Sequence, residues 1–323
     1  MTADGKQHEQ VERYDAVIIG GGPAGLSAAL YTAREKMKTL VLDRGAFGGM
    51  AAITETIDNY PGFRDGVGGQ ALIDEMAGQA ERFGAHCESF SNVTSIETVK
   101  DGFIVHGDDK NYHAKTVLIA SGSTYRKLHV PGEDELIGRG LHFCATCDAP
   151  LYKDKHAVVI GGGNSAMQES LFIARFARSI DMLISGESFS GSEVLKDAVK
   201  AEKRIKVHYN VQTQSIEKPE ARGTIHIHAL VKNNVKTFEA DGIFVFIGLL
   251  PNSHEFENAG LDEHNFITSD AAFQTHIPGV FVAGDVRRGS TWQIGAAVGE
   301  GVSAALSMRK YTDDRFPGWH TER

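Results

Sequence analysis

The chain has 323 residues with a formal charge of −9 and 41% hydrophobic residues, which is long enough for two domains with ordinary cores. The acidic balance argues against nucleic acid or an anionic membrane surface as the main partner, and no apolar run approaches the length of a membrane span. Met1 to Arg13 is polar and charged, without the apolar core of a signal peptide. With three cysteines, two of them in one short motif, a transient disulfide in a reducing compartment is expected, and so a cytoplasmic protein.

Asp15 to Ile19 is a short apolar run that reads as a buried strand. It enters Gly20-Gly21-Gly22-Pro23-Ala24-Gly25 and then a small-residue helix from Leu26 to Arg34. This is G-x-G-x-x-G between strand and helix. The glycines let backbone approach a pyrophosphate, whose charge sits on free N–H groups at the helix N-terminus. A second strand, Thr39 to Leu42, ends in Asp43, where a carboxylate would meet a ribose hydroxyl. The glycine-rich stretches Gly48-Gly49-Met50-Ala51 and Asp58 to Phe63 suit a flat ligand lying against backbone, and equally a surface loop. Gly69 to Phe83 follows as an amphipathic helix, then two antiparallel runs near Val93–Ile96 and Phe103–Val105. Thr116 to Ala120 is another buried strand, ending in Ser121-Gly122-Ser123.

His142-Phe143-Cys144-Ala145-Thr146-Cys147-Asp148 is the chemically pointed stretch. Two cysteines two residues apart can close a small disulfide ring and open it again. At the start of a helical turn the local dipole favours thiolate, so one sulfur can attack a foreign disulfide near neutral pH, with Asp148 as proton donor or acceptor for the sulfur that leaves. The bland alternatives are a structural disulfide or half a zinc site. Zinc needs four ligands; His142 offers a third, and Cys87 is the one cysteine outside the pair.

Lys155 to Ile160 then repeats the opening theme, entering Gly161-Gly162-Gly163-Asn164-Ser165-Ala166 and a helix. Here the position corresponding to Asp43 is Ile184, which is no ribose ligand, and Ser185 to Ser190 contains no lysine or arginine to meet a 2′-phosphate. Strands are expected near Lys206–Tyr209, Thr224–Leu230 and Ile243–Ile247, with His226 and His228 solvent-facing rather than metal ligands. Gly279 to Ala283 runs into Gly284-Asp285, a second place where a carboxylate can hold a sugar-like hydroxyl. Trp292-Gln293-Ile294 opens a small-residue helix through Ala305. The tail from Arg315 to His320 reads as irregular, with Trp319 or His320 as a candidate cover for an exposed flavin face.

These landmarks, with Asn59-Tyr60-Pro61-Gly62-Phe63, make the chain from Val11 to Tyr311 resemble the low-molecular-weight thioredoxin reductases, and the related flavoprotein subunit of alkyl hydroperoxide reductase. The Cys144-Ala145-Thr146-Cys147-Asp148 string between two dinucleotide folds carries most of the specificity. The resemblance implies an α/β chain with two Rossmann-like dinucleotide-binding domains, the second inserted into the first. Residues 1–126 and 249–323 would form a discontinuous FAD-binding domain, and 127–248 an NAD(P)-binding-like domain with the dithiol. It implies a homodimer whose inserted domain rotates about joins near Arg126–His129 and Gly248–Asn252.

Carried onto this chain, Gly20, Gly22, Pro23, Ala24 and Gly25 cradle the FAD pyrophosphate, with Asp43 on the adenosine ribose. Gly49, Met50 and Asn59 lie along the flavin, and Asp285 takes the ribityl chain. Gln293 and Ile294 offer backbone N–H to the pyrimidine edge; Arg44, Gly48, Val93, Ala120, Gly122 and Gly284 complete the set. Gly161, Gly163, Asn164 and Ser165 would meet a nicotinamide dinucleotide. Cys147 is the sulfur nearest the flavin, Cys144 the one exchanged with substrate, and Asp148 the acid–base group.

Three departures bear on this. The family's NADPH users place a His-Arg-Arg run and a further Arg where this chain has Ile184-Ser185-Gly186 and Ser190. The NADH-using hydroperoxide-reductase branch has an acid in the place of Ile184. Ala149 follows Asp148 where the family usually has Gly, which is expected to shift only a turn. The reading is a flavin-dependent disulfide oxidoreductase that passes electrons through FAD and the Cys144–Cys147 pair to a thioredoxin-like protein disulfide. NADH or NADPH is one candidate donor. The alternatives are the same chemistry with a ferredoxin-like donor, a thiol oxidase, or a non-catalytic flavin redox sensor.

Overall fold

The computed structural model describes residues 11–54, 56–57, 59–219, 223–232 and 234–319. The chain divides into two compact units. One is built from the segment ending at Thr56, from Tyr60–Thr124 and from Pro251 onward; the other from Ile57–Asn59 and Tyr125–Leu250.

The first unit opens with β1 (Glu12–Ile19), α1 (Pro23–Arg34) and β2 (Thr39–Leu42). β1 and β2 pair in parallel from Ala16↔Thr39 to Ile19↔Leu42. β1 from Tyr14 onward and all of β2 are buried. That is why both read as nearly unbroken apolar runs: a parallel strand covered on both faces has no polar side. The exception, Asp15, accepts from the Lys38 backbone N–H at 2.7 Å and pairs with Lys115 at 3.0 Å. Then come α2 (Gly49–Ala52), α3 (Gly69–Arg82), β3 (His86–Glu88), β4 (Val93–Val99), β5 (Gly102–Gly107), β6 (Asn111–Ile119) and β7 (Ser123–Tyr125). Gly48 to Ala51, read as irregular, is thus largely one helical turn.

The second unit carries α4 (Glu133–Leu136), β8 (Leu141–His142), α5 (Ala145–Asp148), β9 (His156–Ile160), α6 (Asn164–Ile173), β10 (Ser179–Leu183), α7 (Glu193–Ala201) and β11 (Ile205–His208). β12 (Val211–Glu217), β13 (Ile225–Val231), β14 (Asn234–Ala240) and β15 (Gly242–Val245) complete it. Its parallel sheet has the order β11-β10-β9-β15-β8, and β12-β13-β14 form an antiparallel sheet beside it in sequence. β14 is mostly exposed, and β12 buries only Val211 and Ile216, so neither has the apolar alternation that marks a half-buried strand and both escaped the sequence reading.

The chain returns to the first unit through β16 (Leu249–Pro251), β17 (Val280–Val282) and α8 (Ile294–Arg315). The first sheet runs β3-β2-β1-β6-β5-β4 with β17 on β6, and β7 pairs with β16. α8 does not stop near Ala305. Its buried face continues through Ala297, Gly301, Ala304, Ala305, Met308 and Thr312 at the helical period. The polar run that hid this lies on the solvent side, where Lys310 pairs with Asp314 at 2.7 Å. The tail expectation is also corrected. Trp319 is 3% exposed within the core that includes Ala16 and Met308, and its Nε1–H donates to Asp313 at 2.9 Å, so it covers no flavin face. His320 lies outside the described residues. Among those residues, no helix is long and apolar enough to cross a membrane.

Three adjacent strands of the second unit, from the edge strand β11 inward, are tied by a polar triplet. Asp181 on β10 meets His208 on β11 at 2.6 Å and His156 on β9 at 3.3 Å. Burial alone would raise the Asp181 carboxyl, but the hydrogen bonds from His156 and His208 hold it down to about 2. The Asp181 hydrogen bond in turn raises His156, against burial. Asp181 therefore contributes stability above its unfolded pKa of about 4, lost as pH falls through the folded value. His156 contributes below about 6.5, lost as pH rises through its raised value. Asp181→Asn should cost about 1–3 kcal/mol near pH 5.5 and less above pH 8, read as the difference in thermal midpoint from wild type at the two pH values.

Candidate active site

β8 ends at His142 and the chain turns into the four-residue helix α5. Cys144 is its N-cap, in extended backbone, and its sulfur accepts the Cys147 N–H at 3.2 Å. Cys144 and Cys147 are joined as a disulfide with Cα atoms 5.4 Å apart. A backbone N–H aimed at the Cys144 sulfur favours negative charge there once the bridge opens, as an attacking thiolate needs. Both cysteines are half-buried. The third, Cys87 on β3, has its thiol pushed up to about 12 by burial and by Glu81, which removes it as a nucleophile. Ala149 has φ −58° and ψ −36°, backbone any residue adopts, so the departure from Gly leaves this turn undisturbed.

His142 is not a zinc ligand. It is 8% exposed, with Nδ1 3.3 Å from Asp148 Oδ2 and Nε2 2.7 Å from Tyr152 Oη. No group of His, Cys, Asp and Glu suited to a metal ion exists among the described residues. That includes His226 and His228, which instead contact Glu217, at 3.8 and 3.1 Å. Asp148 is itself buried at 9%. Asn59 is placed with the dithiol, its Nδ2 donating to Cys147 Sγ at 3.6 Å. Tyr152 was absent from the sequence reading, because nothing in a spacing of ten residues marks it.

The first glycine turn is built by steric need. Gly20 has φ +109°, and a Cβ there would lie 2.2 Å from the Ala120 carbonyl oxygen; one on Gly25 would lie 1.9 Å from Gly20 O. A Cβ on Gly22 would meet no atom of the described residues within 4 Å beyond its own chain neighbours, so that backbone edge at the start of α1 is open. Asp43 stays at the end of β2, accepting N–H from Gly21 at 2.7 Å and Gly45 at 2.8 Å. A cleft beside it is lined by Gly20, Asp43, Arg44, Val93, Asn252 and Phe256. Gly48 N–H donates to Gly21 O at 2.9 Å, which brings Gly48, Gly49 and Met50 to the same turn. Gly122, at the end of β6, accepts from Asn252 N–H at 3.0 Å.

Gly284 also returns to this place, since a Cβ on it would lie 2.9 Å from that of Ala24 and 3.9 Å from that of Ala297. The next residue, Asp285, has a buried Oδ1 with no hydrogen-bond partner among the described residues. Burial first, and Glu300 second, raise its carboxyl to about 6. Glu300 was not singled out from sequence, although a lone acid among the glycines and alanines of α8 was a usable cue. It accepts the Gly284 N–H at 2.8 Å and Arg287 at 2.6 and 3.0 Å, which fixes the turn that carries Asp285. Gln293 is the N-cap of α8 and Ile294 its first residue.

The second turn repeats the construction: Gly161 has φ +145°, with Phe246 O 2.3 Å from its hypothetical Cβ. Its surroundings differ. Ile184 is buried and packs under Gly162. Ser190 donates its backbone N–H to Gly162 O at 2.9 Å, and Asn164 Oδ1 accepts the Ser192 N–H at 2.8 Å. Asn164 is thereby engaged by its own loop, while Ser165 and the stretch Ser185 to Ser188 are exposed.

Residues 14–301 match the family described as pyridine nucleotide-disulphide oxidoreductase. A thioredoxin reductase of Bacillus subtilis is 36% identical over 303 residues, 93% of this chain and 95% of that protein. A 34.2 kDa protein in a rubredoxin operon of Clostridium pasteurianum is 36% identical over 309 residues, 94% and 98% of the two chains. In structure, the thioredoxin reductase of Streptococcus pyogenes is similar with a TM-score of 0.89 and 32% identity, over 94% of this chain and 99% of that one. With two glycine turns on parallel sheets and a Cys144–Cys147 bridge in the second unit, the chain belongs to the pyridine nucleotide-disulphide oxidoreductase family and, within it, to the thioredoxin reductases.

Proposed function

We propose that this protein reduces a thioredoxin-like protein disulfide, using FAD held by residues 1–126 and 249–323 and the dithiol of residues 127–248. The observation that carries this is the Cys144–Cys147 bridge with a backbone N–H on the Cys144 sulfur and a buried carboxyl following Cys147. Relatives named thioredoxin reductase support the substrate class. A homodimer in the cytoplasm completes the reading.

The residues present fit FAD. Asp285 Oδ1 is a buried acceptor without a donor among the described residues, and a hydroxyl-bearing chain supplies donors. Gly22 leaves open backbone where a pyrophosphate can approach the N-terminus of α1. Asp43, already holding Gly21 and Gly45, retains lone pairs for a ribose hydroxyl. When bound, FAD supplies a two-electron carrier between the donor and a disulfide. Pro23, Ala24 and Gly25 shape the phosphate turn; Gly48, Gly49, Met50, Gln293 and Ile294 offer backbone to the ring system; Arg44, Val93, Ala120, Gly122 and Gly284 complete the walls. Asn59, at the Cys147 sulfur, steadies the inner cysteine. Cys144 exchanges with substrate, Cys147 resolves the mixed disulfide, and Asp148 carries the proton.

The donor is a nicotinamide dinucleotide used without preference for the 2′-phosphate. From Ile184 to Ser192 there is no lysine or arginine, Glu187 is exposed, and Ile184 is buried as a core residue. A charge-assisted hydrogen bond is worth about 1.5–3 kcal/mol, so two missing contacts cost NADPH on the order of a hundredfold in affinity, and Glu187 adds repulsion. A second reading, an iron–sulfur protein as donor, is favoured by the engagement of Asn164 by Ser192; the rubredoxin-operon relative points the same way.

Three measurements follow from this. Cys144→Ser and Cys147→Ser should each keep FAD while thioredoxin reduction drops to the uncatalysed background; normal turnover by either removes the pair from the mechanism. Asp285→Ala should weaken FAD retention, seen as colour lost on dialysis. In anaerobic stopped-flow flavin reduction, NADH should equal or exceed NADPH in kcat/KM, and Ser185→Arg with Gly186→Arg should shift the ratio toward NADPH. Bleaching by a reduced iron–sulfur protein and by neither nicotinamide selects the second reading.

A further inference from the structure

The imidazole of His142 is held on every side. It leaves β8 at the edge of the sheet of the second unit and packs on Phe244, with ring centres 5.3 Å apart, and edge-on to Tyr152, also at 5.3 Å. Its two nitrogens face Asp148 and the Tyr152 hydroxyl. Tyr152 is buried, and burial together with Asp148 and Asp241 raises its phenol above the ordinary range. With the Tyr152 O–H donating to Nε2, Nδ1 is the nitrogen left to carry a proton, 3.3 Å from Asp148 Oδ2. The other charges near this set are Asp241, which accepts the His156 backbone N–H at 2.7 Å, and Lys155, whose ammonium is 5.4 Å from the Tyr152 ring centre.

We propose that His142, anchored by Tyr152, is a positioning residue for disulfide exchange: it fixes the Asp148 carboxyl and compensates its charge as that carboxyl loads and unloads a proton. The inference rests on the acid–base role proposed above for Asp148. In the exchange, the Cys144 thiolate attacks one sulfur of a protein disulfide. A bond from Cys144 to that sulfur forms, the substrate S–S bond breaks, and the departing sulfur takes the electron pair and the proton held by Asp148. Cys147 then gives its proton to Asp148 and attacks Cys144, which restores the Cys144–Cys147 bridge and expels the second substrate sulfur with its pair, and Asp148 passes that proton on to the expelled sulfur. The enzyme dithiol loses two electrons, the substrate disulfide gains two, and the protons of the dithiol end on the two product sulfurs. Within this cycle the Asp148 carboxyl alternates between neutral and charged while 9% exposed. An unpaired carboxylate at that depth is costly, and the Nδ1 proton of His142 offsets it.

The test uses holoenzyme pre-reduced with dithionite and mixed rapidly with oxidised thioredoxin or, in parallel, a small aromatic disulfide. The aromatic thiolate leaves without needing a proton. His142→Phe keeps the ring packing and removes the Tyr152 hydrogen bond and the Asp148 contact; His142→Asn restores a donor at the Nδ1 position. With thioredoxin, His142→Phe should slow exchange by at least about tenfold and change its pH profile, and His142→Asn should recover most of the rate. With the aromatic disulfide all three proteins should react alike. Asp148→Asn should slow thioredoxin exchange, and adding His142→Phe to it should cost nothing more. Equal slowing of both substrates by His142→Phe and His142→Asn, or a full additive loss in the double variant, overturns the proposal by making His142 structural. Asp148→Asn with wild-type exchange removes the underlying acid–base role instead. If His142→Phe loses FAD or folds poorly, His142→Asn and Tyr152→Phe carry the same comparison, with an unchanged pH profile in both overturning it.

Discussion

At Gly20 and again at Gly161 the chain leaves a buried parallel strand and must reverse into a helix within hard contact of a neighbouring strand's carbonyl. A Cβ at either place would lie closer than 2.5 Å to backbone oxygen, a separation no side chain tolerates. The same reversal leaves the first N–H groups of α1 and α6 without intrahelical partners. The steric constraint and the anion-seeking helix end are therefore one feature seen twice, and the sheets, the ligand-facing backbone and the dithiol's supporting unit are all laid out from it.

Around the first turn, half-buried carboxylates hold geometry by accepting backbone N–H. Asp43 ties β2 to the turn through Gly21 and Gly45, and Glu300 ties α8 to Gly284 with Arg287 as its counter-charge. Asp285 breaks the pattern, being left with an unpartnered oxygen and a raised carboxyl. A charge-bearing group kept out of water without donors is unfavourable in isolation. Its neighbours hold it there, with the Glu300 carboxylate close enough to raise it further.

In the second unit the polar groups face one another. Asp181 lies between two histidines across three strands, and Asp148 and Tyr152 flank a third. The loop after β10 folds back on the second glycine turn, with Phe189 buried beneath it and Ser190 and Ser192 bonded to Gly162 and Asn164.

The glycine turns, the central strands and the Cys144–Cys147 pair were legible in the sequence because each is local: a turn's φ, a doubly covered strand's unbroken apolar run, and a two-residue spacing are set within a few residues. The length of α8 was partly legible, since Met308 and Thr312 keep its period beneath a polar surface. What the sequence could not decide rests on contacts between distant segments. Trp319 looked like a loose tail residue and is a core residue, since it joins a cluster to which segments as distant as β1 and α8 contribute. His142 looked available to zinc, and its nitrogens are claimed by Asp148 and Tyr152, which reach it only once β8, α5 and the turn after it have packed. Asp285 was recognisable as a carboxylate after a strand, but its raised carboxyl comes from burial and from Glu300, fifteen residues further along the chain. Spacing along the chain determined which groups exist and which turn they sit on; their protonation and partners were decided by tertiary packing, because desolvation and hydrogen-bond competition are properties of the folded interior and not of the chain.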